Sequence, residues 1–149
     1  MLRKNFHLLL LLPILTKGFC CINNLNLPKV DNSITTTKEI GNFTLYVSNQ
    51  SFKISKVDIQ VKIDGKVVVS EYFYVGNQHN WKPFFFSLPK GTHTLEVRSD
   101  MENVNFTKQF EIKEKHWAVV AFWYYPKSHY EPTERHFTFN INDKPIYFD

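Results

Sequence analysis

From Asn42 onward the apolar and polar positions alternate, and the alternation repeats segment after segment. Phe43, Leu45 and Val47 alternate with Thr44, Tyr46 and Ser48, and Val57, Ile59, Val61 and Ile63 alternate with Asp58, Gln60 and Lys62. A period of two places successive side chains on opposite sides of an extended chain, so these segments are predicted strands with one buried face. Asp64-Gly65 then separates Ile63 from the run Lys66 to Phe73. Such a pair between apolar runs signals a hairpin, because both turn positions need positive φ. Two registers stay open. A strict two-residue turn pairs Val61 with Val68, a three-residue loop pairs Val61 with Val69, and the consecutive valines 67 to 69 satisfy either.

The same pattern runs to the end of the chain. Phe84, Phe86 and Leu88 share a face, and Leu88-Pro89-Lys90-Gly91 has Pro and Gly where a type I turn favours them. His93, Leu95 and Val97 alternate with Thr94, Glu96 and Arg98. After the polar turn Asp100 to Asn103 come Val104, Phe106, Phe110 and Ile112. Trp117 to Tyr124 is apolar on both sides and predicts a central strand, with the core as the expected side for Trp117 and Trp123, which share parity. Phe137, Phe139 and Ile141 follow, then a turn at Asn142-Asp143 and a short terminal strand from Pro145 to Phe148. Eight or nine short strands without a helical stretch predict an all-β fold, a single antiparallel β-sandwich over residues 41–149. A small outer-membrane barrel is the minor alternative, although its strands would need about 9 to 11 residues and most runs here are shorter.

The stretch Leu88 to Val97, preceded by the Ile63-Asp-Gly-Lys66 hairpin, resembles the turn-and-strand pattern of immunoglobulin-like and related sandwich modules of exported bacterial proteins. The resemblance implies a sandwich, immunoglobulin-like or transthyretin-like, and implies no activity. The Cys and Trp framework of antibody domains is absent.

Residues 1–20 differ in kind from the rest. Arg3 and Lys4 precede the apolar run Leu8 to Leu15, and Lys17 follows, which is the layout of a secretory signal. The run is about half the roughly 20 residues of a spanning helix. Gly18 and Cys20 suit a cleavage site after Cys20, while the position of Cys20 and Cys21 after the apolar run also resembles a lipobox, which implies lipidation of one of them. Lys17, Gly18 and Phe19 depart from that pattern. Residues 21–40, polar and rich in Asn, Thr and Lys, read as a tether. The expected location is therefore exported: periplasmic, cell-surface or secreted, with a membrane met only through an N-terminal lipid.

Export changes the charge. The chain carries 18 basic and 14 acidic residues, a formal +4, but Arg3, Lys4 and Lys17 leave with the signal, so 15 basic residues face 14 acidic ones. With acids interleaved, as at Lys113-Glu114-Lys115, no basic stripe for nucleic acid forms. No cysteine follows residue 21, which removes thiol chemistry from the folded part. Ser70, Ser87 and Ser99 lack a Gly-x-Ser-x-Gly context, no acidic pair stands out, and the C-terminal Pro-Ile-Tyr-Phe-Asp is unlike the Tyr-Arg-Gly-Ser tail of transthyretin-like hydroxyisourate hydrolases. No enzyme and no cofactor are expected. His129, Glu131, Glu134 and His136 cluster without a standard ligand spacing, leaving His129 and His136 as minor metal candidates. His93 reads as a core or boundary histidine.

The remaining excess is aromatic: 3 Trp, 7 Tyr and 14 Phe. Trp81 lies in the polar loop Gly76 to Pro83, and Tyr125 and Tyr130 flank the loop after the Trp117 strand. With His79 and Asn80 they form a candidate sugar-stacking set, against the alternative that Trp81 caps the core. The sequence thus predicts a non-enzymatic accessory or surface module contacting another protein, with a carbohydrate-binding module as the alternative. Three Asn-x-Ser/Thr sequons occur, at Asn42, Asn49 and Asn105.

Overall fold

The computed structural model describes residues 41–51, 53–76, 80–126 and 132–148. The signal and tether, Cys20, Cys21, His79, His129, Tyr130 and Glu131 lie outside the described residues. The chain forms eight strands: β1 (Phe43–Asn49), β2 (Lys56–Ile63), β3 (Lys66–Tyr74), β4 (Lys82–Phe86), β5 (Gly91–Ser99), β6 (Val104–Ile112), β7 (His116–Tyr125) and β8 (Thr133–Asn142). They build two four-stranded sheets, β4-β1-β7-β8 and β3-β2-β5-β6, in which β1 and β7 are the parallel neighbours and every other pair is antiparallel. The predicted sandwich is what forms. A constant-type immunoglobulin domain groups its first, second, fourth and fifth strands in one sheet; here the second and fifth share a sheet with the third and sixth. Among the described residues the two sheets stay separate, each with two edges: β4 and β8 in one, β3 and β6 in the other.

The inward sets meet as expected from the alternation. Phe43, Leu45 and Val47 of β1 and Ala118, Val120 and Phe122 of β7 are buried against Val57, Ile59, Val61 and Ile63 of β2 and Leu95 and Val97 of β5. Rings link the sheets: Phe43 stacks on Phe110 of β6 at 5.2 Å between centroids, and Phe110 meets Phe139 of β8 edge-on at 5.6 Å. Lys82 of β4 pairs with Glu71 of β3 across the seam.

The hairpin uses both registers. Asp64 and Gly65 take positive φ, 51° and 76°, so the turn is two residues long and Ile63 pairs with Lys66, Lys62 with Val67. A bulge then shifts the pairing to Val61 with Val69. Because the extra residue interrupts the alternation, Val68 and Val69 are both buried. Two other expectations are corrected. Pro145 to Phe148 adds no strand to a sheet; the segment turns back, and Phe148 packs on Tyr46 and Trp81. Trp117 and Trp123 do share a side, but it is the outer one, because Ala118, Val120 and Phe122 occupy the core side of β7.

Candidate functional site

The outer face of an antiparallel sheet in a sandwich is ordinarily polar. On β4-β1-β7-β8 it also carries large aromatic rings. The pairings place Phe85, Thr44, Trp117 and Asn142 in one row across the four strands, and Pro83, Tyr46, Val119 and Asn140 in the next. Ser48, Ala121 and Thr138 form a third row, and Trp123 stands beside His136 in a fourth. Phe85, Tyr46, Trp117, Val119 and Trp123 are all partly exposed, whereas Thr44, Ser48 and Ala121 between them are buried. Large rings thus stand over small residues on a surface with little charge. Trp123 is fixed by an Nε1–H bond to Thr138 Oγ1 at 3.1 Å, and Lys115 lies 5.3 Å from the centre of the Trp117 ring.

The loop aromatics join this face at the end where β1 and β7 finish. Trp81 is partly exposed with one side of its indole covered by Phe148, at 4.6 Å and nearly parallel, while Phe148 meets Tyr46 edge-on. Asn80, Trp81, Lys82, Pro83 and Phe148 line a shallow cleft of about 480 Å³. Tyr125 packs beside Trp123 and donates its hydroxyl to the Gln50 carbonyl at 2.9 Å, and burial pushes its phenol pKa up, which keeps the donor proton on. Of the sugar-stacking set, the structure places Trp81, Asn80 and Tyr125 on one end of one sheet. His136 of β8 bonds through Nδ1 with the backbone oxygen of Glu134, and among the described residues no three His, Asp or Glu side chains converge as a metal site.

Two sequons carry structure. Asn42 brackets Leu88, donating to its carbonyl and accepting from its N–H, both at 2.8 Å. Asn49 is 1% exposed, accepts the Ser51 N–H at 3.0 Å and donates to the Ile54 carbonyl at 2.8 Å. It belongs to a buried polar run, Ser48 to Ser51, that plugs the corner between the sheets: Gln50 bonds Ser48, and Ser51 bonds the Tyr124 carbonyl and the Ile54 N–H. A glycan on either asparagine would break these bonds. Asn105 is exposed on β6.

At the opposite end, His93 is 6% exposed and bridges two acceptors, Asp64 Oδ2 at 2.7 Å and the Pro89 carbonyl at 2.8 Å. Burial favours the neutral ring, but these two bonds and the Asp64 charge outweigh it and raise the His93 pKa above 6.5. Asp64 is lowered below 3.8: its partial burial opposes the shift, while the Thr94 N–H, His93 and Lys66 outweigh that burial. A carbonyl accepts only, so Nε2 keeps its proton and the one lost on titration is the Nδ1 proton facing the carboxylate. A raised folded pKa adds stability that is complete below the unfolded value and fades as pH rises through the folded one. We expect the melting temperature to fall as the pH rises from the ordinary histidine value through the raised folded value of His93, and His93→Gln to flatten that slope. An unchanged slope in His93→Gln would remove this role. His93 is thus a staple between the hairpin and the β4–β5 turn. Ser99 is similarly structural, donating to Asp58 at 2.5 Å, while Asp58 accepts the Asp100 and Met101 N–H groups and holds the β5–β6 turn.

Fold and site together define a β-sandwich with one aromatic outer face. No protein-family model matches the chain, and no curated protein matches it.

Proposed function

We infer that the domain is an exported, non-enzymatic contact module that docks a partner protein on the outer face of β4-β1-β7-β8. The observation that carries this reading is the set of rings Tyr46, Phe85, Trp117 and Trp123 standing partly exposed on a sheet face that water alone would keep polar. Aromatic residues bring large apolar area with few torsions to freeze, which is why they dominate the centres of protein contacts. Export rests on Arg3, Lys4 and the Leu8 to Leu15 run, and a lipid on Cys20 or Cys21 would hold the module to one membrane leaflet through the tether. Binding of a glycan by Trp81 and Tyr125 is the second reading, favoured by the shallow cleft beside Trp81.

A photo-crosslinking residue placed at Val119, beside Tyr46 and two residues from Trp117, tests the docking face in the producing cell. The expected result is a discrete protein adduct from position 119, absent from position 111 on the other sheet and lost in Trp117→Ser. Equal labelling at both positions, or none, contradicts the reading. Intact mass of the mature chain tests export separately: a start at Cys20, Cys21 or Ile22 supports it, and a retained Met1 opposes it.

A further inference from the structure

Among the described residues, two buried side-chain polar atoms have no hydrogen-bond partner, Gln60 Oε1 and Ser70 Oγ. The β2–β3 register sets them directly opposite each other on the outer face of the β3-β2-β5-β6 sheet, the face away from the aromatic one. The same row continues through Arg98 of β5 to Asn105 of β6, and the adjacent row holds Lys62, Glu96 and Thr107. Gln60, Lys62, Glu96, Arg98, Asn105 and Thr107 line a cleft of about 240 Å³. That is below the roughly 300–1,000 Å³ of pockets for drug-sized ligands, and suits a single ring with its substituents.

Buried polar groups in folded proteins nearly always find partners, and one without a partner calls for a reason. Gln60 is 7% exposed and lines the cleft, so rotation about its last torsion turns the amide toward a bound group. The chemistry around it is mixed. Lys62 and Arg98 donate, Glu96 accepts, and Gln60, Asn105 and Thr107 do both. A phosphate or sulfate would meet the Glu96 carboxylate between the two cations. A hydroxyl gives and takes a hydrogen bond, so it satisfies every one of these groups, and a ring bearing several hydroxyls satisfies them together.

We propose that the Gln60–Arg98–Asn105 row is a saccharide-binding cleft, taking one sugar residue of a chain that lies across the strands. The proposal stands apart from the aromatic face, which lies on the other sheet. The test is to titrate the isotope-labelled mature chain with cellohexaose, with an oligogalacturonate and with inorganic phosphate. The signals followed are the side-chain amides of Gln60 and Asn105, the backbone amides of 96–98 and 105–107, and the Trp117 and Trp123 indoles. Cellohexaose is expected to move the cleft signals and leave the indoles in place, and shifts with the oligogalacturonate alone would overturn the proposal, because Glu96 disfavours an anion. Gln60→Leu is expected to weaken binding about tenfold or more without lowering the melting temperature, because it removes an unpaired polar group. Shifts with phosphate only, no shifts with either saccharide, or saccharide binding that survives Gln60→Leu would overturn the proposal. None of these outcomes bears on the crosslinking result at Val119.

Discussion

Phe43→Ala is expected to destabilise the domain by about 3–5 kcal/mol, the range for removing a fully buried ring. Phe43 is 0% exposed and belongs to the second strand of its sheet, between β4 and β7. Its ring stacks on Phe110 of the facing sheet and tilts against Phe86 of β4, 6.4 Å away, so truncation opens a cavity where the two sheets meet. A domain of this kind has about 5–15 kcal/mol to lose, so the variant is expected to be near its unfolding threshold at room temperature. Urea denaturation checks it: the midpoint should drop sharply while the slope stays unchanged. Trp117→Ser supplies the contrast. Its ring leaves an outer face and creates no cavity between the sheets, so its loss is expected to be well below that of Phe43→Ala.

Asn49→Ala is expected to cost about 2–3 kcal/mol for a different reason. The amide is buried and joins the Ser51 N–H to the carbonyls of Ile54 and, at 3.4 Å, Phe73. Alanine would leave those backbone groups without the partner, at a place where water is excluded. Asn49→Asp separates this from a volume effect. It retains an acceptor for Ser51 but turns a charged acceptor toward two carbonyl oxygens, so it should be at least as damaging at neutral pH and recover partly in acid, when the carboxyl regains a donor proton. Stability of N49D that does not rise on acidification would remove hydrogen bonding as the reason for this asparagine.

The strand pattern was readable because one face of most strands is apolar and the other polar: β1, β2 and β5 fall where Phe43 to Val47, Val57 to Ile63 and His93 to Val97 alternate. The hairpin left two registers open, and the bulge at Val68 explains why: each applies to its own stretch of the ladder. Where both faces are apolar, parity loses its meaning. Along β7, Trp117, Val119 and Trp123 alternate with Ala118, Val120 and Phe122, and the sequence favoured the bulkier set for the core; the sheet order buries the smaller one. The terminal strand failed because Pro145 to Phe148 finds a better surface on Tyr46 and Trp81 than at a sheet edge. Ser48 read as an alternating polar strand position and Asn49 as a sequon, and nothing local shows that Ser48 to Ser51 fill a corner. The Gln60 row was equally hidden. Its members come from three strands, and only the register brings residues 60, 98 and 105 into line.

The outer face of β4-β1-β7-β8 is expected to be exposed in the isolated protein and covered where the protein works. Hydroxyl-radical footprinting of Trp117 and Trp123, carried out on the purified chain and on the chain in place in its producing cells, tests it directly. Tyr74 and Met101, 58% and 55% exposed and away from this face, serve as references. Both tryptophans are expected to be oxidised in the purified chain and protected in place, with Tyr74 and Met101 oxidised in both. Equal oxidation of Trp117 and Trp123 in the two settings would contradict it.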